Sequence, residues 1–227
     1  MSNDAVNPAG ERLPTDTDDG MLLIISGPSG VGKTTITRAV ERAIPGAVFS
    51  ISATTRPCSP VDVDGVDYHF LTKEAFQHRI DAQAFLEYAE FAGNWYGTLR
   101  EPVEANLARG RLMILEIDVQ GAISVKKQMP EAFALFILPP DEQTLLDRLR
   151  SRKRESEETI QRRFNEAQRE IATARSCGAY DTFLVNDDLD QAIEQAIALV
   201  TNERAARKAR RSSCCCGGAT CHSTPRP

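Results

Sequence analysis

The sequence has few aromatic residues, few cysteines outside its C-terminus and no long apolar run. Aromatic residues make up 6% of the 227 residues, with one tryptophan. Only Cys58 and Cys177 lie outside the last 14 residues, too few for a disulfide framework. The longest apolar run near the start, residues 21–25, is far shorter than the roughly 20 residues that span a membrane. Residues 1–20 also lack the pattern of a signal peptide. We therefore expect a cytoplasmic protein that does not contact a membrane.

Charge and composition are ordinary for a globular protein. The chain has 27 basic and 32 acidic residues, a formal net charge of -5, which argues against a basic, nucleic-acid-binding body. Apolar residues make up 41% and charged residues 26%. A chain of this length and composition predicts one soluble domain, with room for a small insert.

Composition divides the chain into three parts. Residues 1–20 are polar and predict a disordered leader. Residues 211–227 are predicted to form a disordered, cysteine-rich tail. The tail's four cysteines and His222 raise the question of zinc, but a zinc site needs four ligands in a spaced framework, and we favour a tail without a metal. Residues 21–210 are left as the folded domain.

Apolar runs alternate with helical patterns along the folded domain. Buried strands are predicted at residues 21–25, 112–118, 134–138 and 181–186. Helices are predicted at residues 33–43, 100–109, 119–129, 141–150, 157–176 and 188–210. This alternation predicts an α/β fold in which helices flank a parallel sheet and form right-handed crossovers.

Residues 53–98 interrupt the alternation. Short β-type pieces are predicted at residues 68–71 and 85–91, and a short helix at residues 73–80. Turns are predicted at residues 64–65 and 93–94. We interpret this segment as a small mixed α+β insert on the α/β core.

The first predicted strand leads directly into a phosphate-binding motif. The segment Gly27-Pro28-Ser29-Gly30-Val31-Gly32-Lys33-Thr34 matches the P-loop pattern, and Thr35 follows it. Glycines allow successive backbone N–H groups to point at phosphate oxygens, and the next helix adds positive charge at its N-terminus. Lys33 is expected at the β- and γ-phosphates and the Thr34 hydroxyl at Mg²⁺. The motif predicts a P-loop NTPase-type site for a nucleoside triphosphate but leaves the acceptor open.

Further motifs follow in order after the P-loop. They are Ser50-Ile51-Ser52-Ala53-Thr54-Thr55-Arg56-Pro57, Asp64-Gly65-Val66-Asp67-Tyr68-His69-Phe70, Phe85-Leu86-Glu87-Tyr88-Ala89, Gly93-Asn94-Trp95-Tyr96-Gly97-Thr98 and Glu116-Ile117-Asp118-Val119-Gln120-Gly121. With the P-loop, this set resembles the guanylate kinase family over about residues 21–205. The resemblance implies an ATP:GMP phosphotransferase that makes ADP and GDP with Mg²⁺. It implies ATP and GMP as small-molecule substrates, no specific nucleic-acid partner, and a monomer or homodimer.

The resemblance also assigns the acceptor site. The phosphate of GMP would be held by Arg56, Tyr68 and Tyr96, and the guanine pocket would be lined by Ser52, Glu87, Thr98 and Asp118. The chemistry agrees, because guanine presents adjacent N1–H and N2–H₂ donors that one carboxylate can accept. Adenine has an unprotonated N1 at that position and would leave the Glu87 carboxylate unpaired.

A lid over residues 148–163 completes the resemblance. Arg148, Arg152 and Arg163 fall at the positions that close on the ATP phosphates and, with Lys33 and Arg56, form the predicted catalytic set. No general base is expected, because the attacking phosphate oxygen of GMP is already anionic. Asn186 is expected beside the adenine. Asp118 follows a buried strand, where a carboxylate would also hold Mg²⁺ through water.

The sequence departs from the family pattern at two places. Ser59 stands where the family has a second phosphate-binding arginine, and Ser151 and Lys153 replace lid glycines. Ser59 leaves open a P-loop kinase that acts on a ribose phosphate. A third alternative is a non-catalytic, guanylate-kinase-like binding module, although such a module has no need for Lys33.

Overall fold

The computed structural model of the chain describes residues 20–151 and 156–215. Within them the strands are β1 (Met21–Ser26), β2 (Ala47–Phe49), β3 (Ala53–Thr54), β4 (His69–Phe70), β5 (Phe85–Phe91), β6 (Asn94–Leu99), β7 (Leu112–Glu116), β8 (Phe133–Leu138) and β9 (Thr182–Val185). The helices are α1 (Lys33–Ala43), α2 (Lys73–Asp81), α3 (Arg100–Ala108), α4 (Val119–Gln128), α5 (Glu142–Ser151), α6 (Glu157–Ser176) and α7 (Leu189–Cys215).

The core is a parallel sheet of five strands in the order β2-β7-β1-β8-β9. Strands β1 and β8 are buried along their whole length, which explains their continuous apolar sequences. Alternate residues of β1 face opposite layers. Leu23 and Ile25 pack with α1 and α7, and Leu22 and Ile24 pack with α3 and α4. The predicted α/β fold with helices on both faces is confirmed.

The insert is a second, mixed sheet in the order β4-β3-β6-β5. Strands β3 and β4 are parallel, whereas β6 runs antiparallel to both β3 and β5. Helix α2 covers this sheet through Phe76, whose ring stacks on Phe85 with centroids 4.4 Å apart. The Gln128 side chain of α4 donates a hydrogen bond of 2.5 Å to the Leu86 carbonyl and so ties the insert to the core.

The structure corrects several predicted boundaries. The strand predicted over residues 112–118 ends at Glu116, because the Asp118 side chain caps α4 instead. Helix α7 continues to Cys215, so the helix end predicted at residue 210 is too early. Residues 211–215, which were predicted to belong to the tail, are the last residues of this helix. Residues 1–19, 152–155 and 216–227 lie outside the described residues, and the predictions for them, including Arg152 and Lys153, stay predictions. None of the described helices is both long and apolar enough to cross a membrane.

Candidate active site

The P-loop connects β1 to α1 in a tight turn. Gly32 has a φ of 95°, in the left-handed region, and a Cβ added there would lie 2.7 Å from Nδ2 of Asn186. At Gly27 an added Cβ would lie 2.5 Å from the carbonyl oxygen of Ile137. The Lys33 ammonium donates to the carbonyls of Gly27 at 2.5 Å and Pro28 at 3.1 Å. Positions 27 and 32 therefore need glycine on steric grounds. The Lys33 side chain folds back onto the P-loop and is bound by its carbonyl groups.

The Thr34 hydroxyl meets a carboxylate at the C-terminal end of β7. It donates a hydrogen bond of 2.7 Å to Oε1 of Glu116. Asp118 accepts a hydrogen bond of 2.7 Å from the Gly121 N–H, and its predicted role in holding Mg²⁺ through water stays a prediction. Sequence reasoning did not single out Glu116. The sequence feature that could have identified Glu116 is its position as the last residue of a buried strand. The carboxyl ends of such strands are where α/β proteins bind ligands.

Glu87, Thr98 and Asp118 come together between the insert and α4. Glu87 and Thr98 are paired on β5 and β6, and the Thr98 hydroxyl donates to Oε1 of Glu87 at 2.5 Å. A Cβ added at Gly121 would lie 3.2 Å from Oε2 of Glu87 and 3.4 Å from Oδ1 of Asp118. Burial raises the pKa of Glu87, and the nearby charge of Asp118 adds to that effect. This arrangement places a largely buried carboxylate, Glu87, beside an exposed one, Asp118, a combination suited to a ligand with several N–H donors.

Arg56, Tyr68 and Tyr96 form a second group on the insert. The rings of Tyr68 and Tyr96 are 5.9 Å apart, and the Arg56 guanidinium lies 5.3 Å from the Tyr68 ring centre. Tyr96 and Thr98 are two residues apart on β6 and therefore share a face of the sheet. The carbonyl of Ser52 accepts a hydrogen bond from the His69 N–H at 2.9 Å, while the predicted guanine contact of its side chain stays a prediction.

The structure adds an acidic partner for Arg56 that sequence reasoning missed. Asp62 accepts hydrogen bonds from Nη1 and Nη2 of Arg56 at 2.9 and 3.1 Å. Its bonds with Arg56 and Ser59 hold the pKa of the Asp62 carboxyl well below its usual range, so it is ionised at neutral pH.

Two of the predicted lid arginines lie beside the P-loop. Arg163 on α6 donates a hydrogen bond to the Ser29 hydroxyl. Arg148 on α5 donates to the carbonyls of Asn186 at 2.9 Å and Asp187 at 3.1 Å, just after β9. The Asn186 side chain is itself buried and donates to the Val31 carbonyl at 2.8 Å. Asn186 thus joins β9 to the P-loop, and its predicted contact with adenine stays a prediction.

An open cleft of about 1610 Å³ separates the P-loop from the insert. It is lined by Ser29, by Phe91 and Ala92 at the β5–β6 turn, and by one side of α6 that includes Arg163 and Glu170. Burial raises the pKa of Glu170 to about 7, whereas the charge of Lys33 acts in the opposite direction. Of the predicted site residues, Ser29 and Arg163 line this cleft.

Comparisons with known proteins agree with this geometry. The guanylate kinase family model matches residues 19–203. The chain is 48% identical over 205 residues to the guanylate kinase of Anaeromyxobacter dehalogenans (strain 2CP-C), covering 90% of this chain and 87% of the relative. It is 46% identical over 184 residues to that of Synechocystis sp. (strain ATCC 27184 / PCC 6803 / Kazusa), covering 81% and 95%. The crystal structure of guanylate kinase from Anaplasma phagocytophilum superimposes with a TM-score of 0.65 at 29% identity, covering 83% of this chain and 88% of that one.

Proposed function

Because this chain belongs to the guanylate kinase family, we infer that it transfers the γ-phosphoryl group of ATP to GMP, giving ADP and GDP. One structural observation supports this reaction above the others. The same chain carries an intact P-loop and, on the insert, a recessed carboxylate paired with a hydroxyl, Glu87 with Thr98. This combination supports a donor site and an acceptor site on one chain, as a phosphotransferase requires.

In this proposal ATP binds at the P-loop. Backbone N–H groups of residues 27–35 surround its phosphates, and Lys33 and Arg163 supply positive charge. Arg148 lies next to the end of β9 and approaches from the adenine side. Arg152 completes the predicted set, although it lies outside the described residues.

The donor set beside the P-loop fits Mg²⁺. The Thr34 hydroxyl and the Glu116 carboxylate are oxygen ligands 2.7 Å apart, and Mg²⁺ prefers one or two such groups together with water and substrate phosphates. When bound, the ion would neutralise charge on the ATP phosphates. We place Glu116 ahead of Asp118 in this role because only Glu116 hydrogen-bonds to Thr34.

GMP is proposed to bind across the cleft on the insert. Glu87 accepts from N1–H and N2–H₂ of guanine, with Asp118 beside it, and the hydroxyls of Ser52 and Thr98 face the rest of the base. Arg56, Tyr68 and Tyr96 hold the phosphate. The acceptor phosphate oxygen is anionic without help, so these residues position substrates and balance charge rather than remove a proton.

The test is steady-state turnover of ATP with GMP, AMP, UMP and ribose phosphates as acceptors. We expect GMP to have by far the highest kcat/KM. A preference for a ribose phosphate would instead support the alternative left open by Ser59. ATP binding without turnover of any acceptor would support a binding module. A cytoplasmic location and a monomeric or homodimeric state stay predictions.

Glu87→Gln tests the guanine pocket directly. The amide presents N–H donors to the donors of guanine, so we expect kcat/KM for GMP to fall by about 10–150-fold with little change in ATP affinity. Glu90→Gln is the matched control, because Glu90 lies on the same strand but is exposed. Unchanged GMP kinetics in Glu87→Gln would refute the assignment of this pocket.

A further inference from the structure

The loop between β3 and β4 closes around Arg56. Asp62 takes hydrogen bonds from both terminal nitrogens of the Arg56 guanidinium, and the Pro57 carbonyl takes a third at 3.3 Å. The rings of Tyr68 and Phe70 lie 5.3 and 5.4 Å from the guanidinium carbon. The arginine is thus held by an ion pair on one edge and by aromatic rings beside it.

This arrangement leaves a defined part of the guanidinium available. A guanidinium has five N–H donors in a fixed plane. Three are used by Asp62 and Pro57, while the Nε–H and one N–H of Nη2 have no partner among residues 20–151 and 156–215. Those two donors lie on the same edge, which is the geometry that binds two oxygens of a phosphate side by side.

Asp62 is itself fixed by the loop. Its Oδ2 accepts a hydrogen bond of 2.7 Å from the Ser59 N–H, and its own N–H donates to the Ser59 carbonyl at 3.1 Å. Only 14% of its side chain is exposed. A carboxylate held at these points cannot follow Arg56 freely, so it determines where the guanidinium lies.

We propose that Asp62 is a positioning residue for the acceptor: it occupies the Nη1–Nη2 edge of Arg56 and so presents the adjacent edge, Nε–H and the second N–H of Nη2, to the phosphate of GMP. The proposal rests on the function proposed above, in which Arg56 binds that phosphate. The orientation of Arg56 matters in this chain because Ser59 supplies no second guanidinium, which leaves Arg56 as the one arginine proposed to bind that phosphate.

The experiment compares binding of GMP with binding of guanosine, which lacks the phosphate. Calorimetric titrations would be made with wild type, Asp62→Asn and Arg56→Lys. In Asp62→Asn one amide N–H faces the guanidinium, and we expect GMP affinity to fall about tenfold, as for other residues that orient a ligand-binding side chain. Guanosine and ATP affinities should not change, whereas a merely structural defect would lower all three.

Asp67→Asn is the matched control. Asp67 lies in the same loop and accepts a hydrogen bond of 2.8 Å from the Val63 N–H without touching Arg56, so its GMP affinity should match wild type. If Asp62→Asn does not fold, Asp62→Ser replaces it, since a hydroxyl can still accept the Ser59 N–H.

The outcomes distinguish a failure of the role of Asp62 from a failure of the role of Arg56. Unchanged GMP binding in Asp62→Asn, with weaker binding in Arg56→Lys, would overturn the role of Asp62 alone. Tighter binding in Asp62→Asn would overturn it too, and would identify Asp62 as a competitor of the phosphate. Unchanged GMP binding in Arg56→Lys would overturn the assignment of Arg56, and the role of Asp62 with it.

Discussion

The carboxylates in the site are distinguished by their hydrogen-bond partners, which were the part of the site that was hardest to predict from sequence. Thr34 and Glu116 are 82 residues apart and share a hydrogen bond. The P-loop motif predicted the role of the Thr34 hydroxyl, but the sequence could not identify its carboxylate partner. The choice between Glu116 and Asp118 depends on which of the two side chains caps α4. Asp62 was missed for a different reason: it lies only six residues from Arg56, but a loop carboxylate shows no periodicity that predicts its partner.

Glu116→Gln tests the metal assignment at the level of one atom. An amide is a weaker ligand than a carboxylate, so we expect the Mg²⁺ concentration for half-maximal activity to rise by about 10–100-fold. Asp118→Asn should affect KM for GMP more than the Mg²⁺ requirement, and chelation of Mg²⁺ should stop turnover of the wild type. Equal shifts of the Mg²⁺ requirement in both variants would contradict the preference for Glu116.

Glu170 makes stability depend on pH. Its pKa is about 7 in the folded state, above the ordinary value of 4.5, so between these values the folded state binds more protons than the unfolded state. The contribution of Glu170 to stability is therefore fully present below about pH 4.5 and is lost as pH rises to about 7. We expect Tm to decline less steeply from pH 5 to pH 8 in Glu170→Gln than in wild type.

The control for that measurement is Glu194→Gln on α7, where the side chain is exposed. Its Tm should follow the wild-type pH profile. A Glu170→Gln profile parallel to wild type would show that the carboxyl titrates alike in both states.

At the scale of elements, the long apolar strands were predictable and the short strands β2 and β3 were not. Strands β1 and β8 are buried on both faces and are recognisable from sequence, whereas β2 and β3 have only three and two residues. Strand β6 contains Gly97, where an added Cβ would lie 2.9 Å from the Glu87 carbonyl. A glycine in a predicted strand lowers its β-propensity, and only the packing against β5 shows why it is needed.

Helix α7 extends past its predicted end at residue 210, and its local composition accounts for the extension. Its C-terminal part is rich in alanine, arginine and lysine, which favour helix, and neither glycine nor proline occurs between residue 189 and Cys215. Its N-terminal half packs on α1 through small side chains, among them Ala192 and Ala196. Close approach of the two helices therefore depends on the absence of larger groups there.

Ala196→Leu tests this contact between helices. Ala196 is fully buried, so three added carbons would force α7 away from α1 and reduce the free energy of unfolding by about 1–3 kcal/mol. Ala209→Leu, on an exposed part of the same helix, should leave stability nearly unchanged. Chemical denaturation measures both, and equal stabilities of the two variants would contradict the packing described.

At the scale of the whole molecule, the donor and acceptor sites belong to different sheets. The P-loop follows β1 of the five-stranded sheet, and the insert holds Arg56, Glu87 and the two tyrosines proposed to bind the GMP phosphate, Tyr68 and Tyr96. The family match covers residues 19–203 and thus includes both sheets. The sequence predicted this division because the insert breaks the strand–helix alternation, although how the two sheets face each other across the cleft required the structure.

Removal of residues 1–18 and 217–227 should leave kcat and KM within about twofold of the full chain. These segments lie outside the family match and beyond the ends of β1 and α7, and surface or terminal changes are usually within about 0.5 kcal/mol. A truncation at residue 195 is the contrasting variant, since it removes the buried Ala196 and Val200 and should unfold the protein. A large loss of kcat on removal of either terminal segment would show that it acts in the reaction.

The single tryptophan of the chain lies in the insert. Trp95 is next to Tyr96, accepts a hydrogen bond from the Thr54 hydroxyl through its carbonyl and packs near Phe76 and Tyr88. Its indole is therefore a built-in optical probe on the acceptor side, with no counterpart on the P-loop sheet. Fluorescence excited at the long-wavelength end of the tryptophan absorption band reports on the insert alone. Rapid mixing with GMP can therefore time the filling of the proposed acceptor site without attaching a dye.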